Sequence, residues 1–301
     1  MLGQTNGQTA AAVAETDGAA PTQPASVQEE SASVPEEPAA YADGVLYWVG
    51  CAGAFDERNR KVVRAMAALL RQAGIPFWVL GSGETCSGDP ARRAGNEYLF
   101  QILAEENVAT LTAAHDAHGI KTIVASCPHC FNTILNEYPQ FGLTGVEVIH
   151  HTQLLETLVA DGRLKPMFGV SHRAIAYHDA CYLGRYNGVY EPGRRALESV
   201  PGNDIVEMDL HHRRGMCCGA GGARFWMEEH EGRRINHVRT EQALDTGAKA
   251  IATACPFCLV MLRDGTNDLG RDDVPVRDVA ELLADATGVW IRDANGPGRL
   301  T

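Results

Sequence analysis

The stretch Met216-Cys217-Cys218-Gly219-Ala220-Gly221-Gly222 places the tightest limit on what this 301-residue chain can fold around. Cys181 lies 36 positions before Cys217, and Cys255-Pro256-Phe257-Cys258 begins 37 positions after Cys218. Five thiols in a C…CCG…CxxC array are one more than a tetrahedral metal ion accepts. Neighbouring cysteines point different ways, so both serve one centre only if that centre is larger than a single ion. The glycines that follow let the backbone approach it without a Cβ clash. Thiolates are the soft ligands of iron–sulfur clusters, and the array reads as the cradle of a multinuclear one.

Composition removes several other classes. Apolar residues make up 45% of the chain and aromatics 7%, as in ordinary globular protein. A net charge of −12 argues against a nucleic-acid partner. Six of those charges (Glu15, Asp17, Glu29, Glu30, Glu36 and Glu37) fall in the first 40 residues, which hold no Lys or Arg. No apolar run reaches the roughly 20 residues that span a bilayer, and no basic segment followed by an apolar core marks a signal peptide. The default compartment is the reducing cytosol, where nine cysteines read as ligands rather than disulfides.

Residues 1–42 hold almost no large apolar side chains and read as a disordered acidic tail or linker. Structure begins at Val45-Leu46-Tyr47-Trp48-Val49, a buried strand that delivers Cys51 at its end. A helix over Val62–Leu70, a strand at Phe77–Leu80 and a turn-rich loop carrying Cys86 come next. A helical stretch then runs from about Ala91 to His118, with a break expected near Asn107. Thr122–Ala125 reads as a strand leading into Cys127-Pro128-His129-Cys130. Another helix, the strand Val146–Ile149 and a helix from His151 close the unit.

The same order then repeats. A strand at Ala174–His178 runs into Asp179-Ala180-Cys181, then come a helix over Glu191–Val200 and a strand at Ile205–Met208. The Cys217-Cys218 loop follows, with a long helix expected from Phe225 to Asp245. Ala250–Thr253 leads into Cys255-Pro256-Phe257-Cys258, and Val274–Val276 and Val279–Leu283 close the second unit. The first cysteine and the CPxC lie 76 apart in one half and 74 in the other. The fold class is therefore α/β, with two tandem pseudo-symmetric units and mostly parallel sheets. The expected domains are 43–168 and 169–291, with a C-terminal tail over 292–301. Ligands of such folds collect at the C-terminal ends of strands, where the cysteines fall.

The second set, Cys181, Cys217, Cys218, Cys255 and Cys258, could instead hold zinc through four of its thiols. That leaves the fifth thiol and the glycine run unexplained. The first set, Cys51, Cys86, Cys127 and Cys130, has Thr85 where the doublet's first cysteine would stand. Four thiolates suit a cubane 4Fe–4S cluster or structural zinc alike. Thr85 can donate a hydrogen bond to sulfur and so tune such a centre, and the five-thiol set reads as the more open one, facing a redox partner. A thioredoxin-like dithiol is a third reading of either CxxC, so a zinc-stabilised binding module and a thiol–disulfide reductase stay open. His129, His150, His151, His178, His211 and His212 lie near these loops as ligands, proton carriers or packing residues. Asp179 reads as a helix cap. Arg92, Arg93, Arg224 and Glu228 read as loop-bracing or solvated charges. No Walker, GxGxxG, HExxH or Ser–His–Asp pattern is legible.

Over about residues 45–290 these features resemble the cysteine-rich CCG family, which includes the cysteine-rich subunit of heterodisulfide reductase and iron–sulfur subunits of glycolate, glycerol-3-phosphate and lactate oxidation systems. Tyr47–Phe55, Glu84–Arg93 and His150–Leu154 look most like a branch of actinobacterial membrane iron–sulfur oxidoreductases that link electron-transfer flavoprotein to menaquinone. The resemblance implies a noncubane 4Fe–4S cluster on Cys181, Cys217, Cys218, Cys255 and Cys258. It implies a flavoprotein donor, a membrane-embedded or ferredoxin-type partner subunit, and a cytoplasmic place that becomes peripheral to the inner membrane face through that partner. Long members of the branch carry transmembrane helices and ferredoxin-type segments ahead of these domains. This sequence shows neither, so the expectation is a separately encoded subunit or a C-terminal piece.

Overall fold

The computed structural model describes residues 41–169, 174–229 and 231–289. The expected tails, residues 1–42 and 292–301, lie almost wholly outside them. The first half runs β1 (Val45–Trp48), α1 (Gly50–Phe55), α2 (Glu57–Gln72), β2 (Phe77–Trp78), α3 (Asp89–Arg93), α4 (Glu97–His118), β3 (Thr122–Ala125), α5 (Pro128–Asn132), β4 (Glu147–His150) and α6 (His151–Ala160). The second runs β5 (Ala174–His178), α7 (Cys181–Asn187), α8 (Glu191–Glu198), β6 (Asp204–Val206), α9 (Ile235–Asp245), β7 (Ala250–Thr253), α10 (Pro256–Asp268), β8 (Val276–Asp278) and α11 (Val279–Thr287).

All strand pairings are parallel, in the orders β2-β1-β3-β4 and β6-β5-β7-β8. The central strands β1, β3 and β7 are buried at every position. Helices cover both faces of such sheets, which is why these strands read as unbroken apolar runs. β3 and β7 hold the same place in their sheets, so the two CPxC segments that follow them occupy equivalent positions, as the repeat predicts.

The helix starts repeat as well. His150 caps α6 in a capping box with Gln153, and Asp278 caps α11 in a box with Glu281. Each box satisfies two otherwise orphaned backbone donors. The two halves interlock reciprocally: α6 packs on α8, and α11 packs on α2. Arg58 of α2 grips Glu281 of α11 through both guanidinium arms, at 2.8 and 2.7 Å, and also donates to the Val276 carbonyl at 2.9 Å. His151 Nε2 lies 3.1 Å from Asp278 Oδ1 with both side chains fully buried. One half's helix start is thus tied to the other's.

Two helix boundaries differ from expectation. The break in the Ala91–His118 stretch falls at Ala94–Asn96, where Gly95 takes a φ of 86° and Asn96 caps α4. α4 runs unbroken through Asn107, whose side chain leaves the helix for tertiary hydrogen bonds instead of competing with its backbone. The long helix expected from Phe225 starts only at Ile235. Phe225 and Trp226 turn towards Phe257, with ring centroids 5.0 and 5.6 Å away, and Glu229 accepts the Ile235 N–H at 2.9 Å. Packing against the CPxC helix wins over continued helix there. Cys181 opens a helix, α7, that the sequence did not announce.

Candidate metal centres

Each CPxC is built the same way. Cys127 and Cys255 are extended N-cap residues, and Pro128 and Pro256 start the helices. Proline fits that position because its missing N–H would be unpaired there anyway. Cys130 and Cys258 then stand on the third helical residue, so both thiols of each motif face the helix N-terminus. Backbone N–H groups at such an end favour thiolate over thiol.

The first set is brought together from separate elements. Cys51 sits on α1, Cys86 in the loop before α3, and Cys127 and Cys130 at the start of α5. The Cys51 thiol donates to Cys86, which pushes Cys86 down to about 6 and Cys51 up. The Cys127–Cys130 hydrogen bond, burial and the charge of Cys127 push Cys130 up. Glu84 ties the loops by accepting the N–H groups of Val49 and Gly50, at 3.0 and 2.5 Å. Burial raises its pKa to about 7. A cavity of about 550 Å3 opens against this set, lined by Cys51, Cys86, Val79, Phe55 and Glu84 among others. A wide approach therefore lies at the four-thiol set.

The second set also converges. The Cys217 sulfur accepts from Cys181 and Cys218, and from the backbone N–H groups of Gly219 and Gly221, which lowers its pKa far below a free thiol's. The Gly219 contact is 3.3 Å. Gly219 has a φ of 101°, and a Cβ there would meet Met261 Cε at 3.0 Å, so only glycine brings the chain this close. The Cys258 thiol hydrogen-bonds as donor towards the sulfurs of Cys218 and Cys255. Burial pushes the Cys255 thiol up, but the Cys258 hydrogen bond and the charge of His129 outweigh it and hold the pKa below a free thiol's. All nine cysteines are free, and Cys127, Cys130, Cys218, Cys255 and Cys258 are buried. Two sets of converging soft donors, one beside a glycine cradle, fit iron–sulfur centres in their donor chemistry.

The interlock of the halves brings the two sets face to face. α5 packs on α7, and α10 packs on α1, so each CPxC helix meets the helix bearing the other set's first cysteine. Burial and, across this junction, the charge of Cys255 push the Cys127 thiol up. His129 fills it, 4.3 Å from Tyr182 and 5.2 Å from Phe257 between ring centroids. Burial pulls the His129 pKa down, but the Asp89 carboxylate 2.8 Å from Nδ1 outweighs it and raises it.

The other sequence candidates find structural partners. Thr85 donates to Asn107 Oδ1 at 3.0 Å, not to sulfur; the hydroxyl on a sulfur is that of Ser87, 3.4 Å from Cys130 Sγ. Asp179 is not a helix cap: it takes both arms of Arg194, at 2.7 and 2.9 Å, and the His212 N–H at 2.6 Å. His211 and His212 face one another near Glu207 and Glu191. Arg92 and Arg93 both reach Glu137, Arg224 pairs with Glu229, and Glu228 is exposed. His178 and Arg239 form a buried pair behind the second set. Burial and the charge of Arg239 hold His178 down to about 3, so its ring is neutral. Ser87, Glu84 and Arg239 escaped the sequence reading. The first two stand beside Cys86, a signal that proximity offered; Arg239 had none, since its loop partners lie far back in the chain.

Among the described residues, no helix is long and apolar enough to cross a membrane. Over residues 45–135 and 175–263 the chain matches the cysteine-rich domain family called CCG. It is 49% identical over 240 residues to the probable iron-sulfur-binding oxidoreductase FadF of Bacillus subtilis, covering 79% of this chain and 33% of that protein. It is 42% identical over 246 residues to the EtfAB:quinone oxidoreductase of Syntrophomonas wolfei, covering 79% and 34% respectively. One dihydromethanophenazine:CoB–CoM heterodisulfide reductase subunit, from Methanosarcina acetivorans, is 33% identical over 254 residues, covering 82% of this chain and 60% of that protein. The chain thus spans about a third of the length of the first two relatives.

Proposed function

This chain belongs to the CCG cysteine-rich domain family, and from that premise we propose that it is the electron-carrying part of an iron–sulfur oxidoreductase of the heterodisulfide reductase-like type. The observation that carries the reading is the convergence of nine free cysteines into two sets at the ends of parallel strands. An iron–sulfur centre supplies a reversible one-electron store. Cys181, Cys217, Cys218, Cys255 and Cys258 hold the second centre, a noncubane 4Fe–4S cluster. Cys51, Cys86, Cys127 and Cys130 hold the first, a cubane, with zinc as the competing occupant of a four-thiolate site. Residues 43–168 and 169–291 are the two domains. The buried junction around His129, where α5 packs on α7 and α10 on α1, holds the two sets near one another.

The donor is a flavoprotein and the acceptor a membrane or quinone-linked one, reached through a partner at the cytoplasmic face of the membrane. The name of the Syntrophomonas relative, which couples EtfAB to quinone, supports this. The cavity at Cys51 and Cys86 gives the first centre an open route to such a partner.

Anaerobic purification with metal analysis and electron paramagnetic resonance tests the reading. Brown protein with about eight iron atoms, about four per centre, whose colour bleaches on mixing with reduced flavoprotein, is the expected result. Zinc in both sites and no iron after anaerobic reconstitution would replace it with a zinc-stabilised module. Turnover of a disulfide by the iron-depleted chain would replace it with a thiol–disulfide reductase.

A further inference from the structure

Four buried ring nitrogens lack a partner among the described residues, on Trp48, His150, His151 and His178, and two of them, Trp48 Nε1 and His178 Nε2, stand at the ends of the strands that run into the cysteine sets. Both residues are 1% exposed. They occupy matching places in the repeat. Trp48 ends β1 and His178 ends β5, each three residues before the first cysteine of its set. Trp48 is in register with Ala125 and His178 with Thr253, and each of those partners stands two residues before a CPxC.

An indole nitrogen donates and never ligates. A Cβ on Gly50 would meet Cys130 Sγ at 3.6 Å and Trp48 Nε1 at 3.9 Å, so the indole N–H and that sulfur border one small space. In the second half, a ring nitrogen of His178 and the sulfurs of Cys218 and Cys258 all lie within 4.8 Å of one another. An imidazole there could ligate or donate, and its tautomer decides which. Arg239 Nε, a donor in every state, gives its hydrogen to His178 Nδ1 at 3.0 Å. Nδ1 is therefore the acceptor, and the proton of the neutral ring sits on Nε2. A protonated nitrogen has no lone pair to offer a metal.

Arg239 is built to stay in place. It is 0% exposed, and its Nη1 donates to the Leu210 carbonyl at 2.9 Å and to Gln242 Oε1 at 2.7 Å. Burying a guanidinium is costly unless negative charge is near. Burial lowers the Arg239 pKa; Asp179 opposes that most, and Cys258 and Cys218 add to the opposition as thiolates. The first set has one thiol fewer, and the helix in the same place of that half offers its loop the neutral Asn107.

We propose that each cysteine set receives a hydrogen bond to sulfur from a strand-end N–H, Trp48 Nε1 in the first and His178 Nε2 in the second, and that Arg239 makes His178 a donor instead of a ligand by fixing its tautomer. Arg239 also supplies the fixed positive charge that the fifth thiolate calls for. The proposal rests on the cluster-holding reading above. Hydrogen bonds and positive charge at sulfur favour the reduced, more negative state and so raise the potential.

The full chain, purified anaerobically, is titrated against potential while electron paramagnetic resonance follows both centres and iron is counted. In His178→Leu the second centre keeps its iron and its potential falls, with the first unchanged. His178→Gln, whose amide can replace Nε2–H, recovers most of the loss. Arg239→Gln lowers the second potential further, and Trp48→Phe lowers the first alone. Loss of the second centre's iron in both His178→Leu and His178→Gln, with circular dichroism unchanged, makes His178 a ligand and overturns the proposal. So do wild-type potentials in His178→Leu and Trp48→Phe. Where His178→Leu does not fold, an unmoved first potential in Trp48→Phe overturns it. Wild-type protein without iron overturns the cluster reading and this proposal with it; iron with unmoved potentials overturns this proposal only.

Discussion

The hydroxyl of Ser87 lies 3.4 Å from the sulfur of Cys130, with both residues buried, while the hydroxyl of Thr85 two positions earlier is spent on Asn107 at 3.0 Å. A hydroxyl on sulfur tunes a metal centre; one on an amide only braces a loop. Ser87→Ala is expected to lower the potential of the first centre and leave the second where it was. Thr85→Ala is expected to leave both potentials unchanged and to cost about 1 kcal/mol of stability, the worth of one ordinary hydrogen bond. Redox titration of the two variants side by side decides. A shift confined to Thr85→Ala would return the tuning role to Thr85.

The two sets assemble separately in the chain, so their losses are expected to be separable. Cys217→Ser or Cys218→Ser should remove or alter the second centre's spectrum and stop electron transfer, with about four iron atoms retained at the first. Cys86→Ser should do the converse. Iron counts and spectra taken together measure this. Loss of both centres from either substitution, in protein that still folds, would mean that one set is built upon the other.

Arg58 and Glu281 join the halves through a two-armed ion pair whose side chains are 11% and 6% exposed. Removing Arg58 leaves Glu281 in a dry place with only Arg277 at 3.7 Å and the Asp278 N–H for partners among the described residues, and losing one partner of a buried pair costs at most about 3–5 kcal/mol. Arg58→Ala is expected to lower the urea midpoint by a corresponding amount, and because α2 and α11 set how the halves meet, to loosen the contact between the cysteine sets. An exposed pair such as Lys121–Asp43, 2.7 Å apart, should shift the midpoint far less in the same assay.

His150 caps α6 through a lone pair on Nδ1, and burial and the neighbouring His151 hold its pKa well below the ordinary histidine value. The unfolded chain takes up a proton near pH 6.5 that the folded chain refuses. Stability is therefore fully present above that pH and is lost as pH falls below it, by about 1.4 kcal/mol per pH unit for one proton. His150→Asn keeps a capping side chain and removes the titration. Denaturation from pH 7 to pH 5 should show a steeper loss in the wild type than in the variant; equal slopes would assign the acid sensitivity to other groups.

Much of this protein was legible in its residues. The runs Val45–Trp48 and Ala250–Thr253 could only be buried strands, and the spacing of Cys51, Cys127, Cys181 and Cys255 set a repeat that the two sheets reproduce strand for strand. These features are local: a strand end and a proline-started helix fix where a CPxC points, whatever lies elsewhere. The tertiary structure alone decided the rest. That α5 meets α7 and α10 meets α1, placing the sets face to face, depends on how α2 fits α11 and α6 fits α8, which is side-chain complementarity between segments far apart in the chain. Likewise Asn107 reads as a helix breaker and Thr85 as a donor to sulfur until each finds the other, 22 positions away. Arg239 has no meaning before His178, 61 positions earlier, is folded against it. Periodicity and spacing record what a residue does to its neighbours in sequence, whereas a buried polar side chain is satisfied by whatever the fold brings beside it.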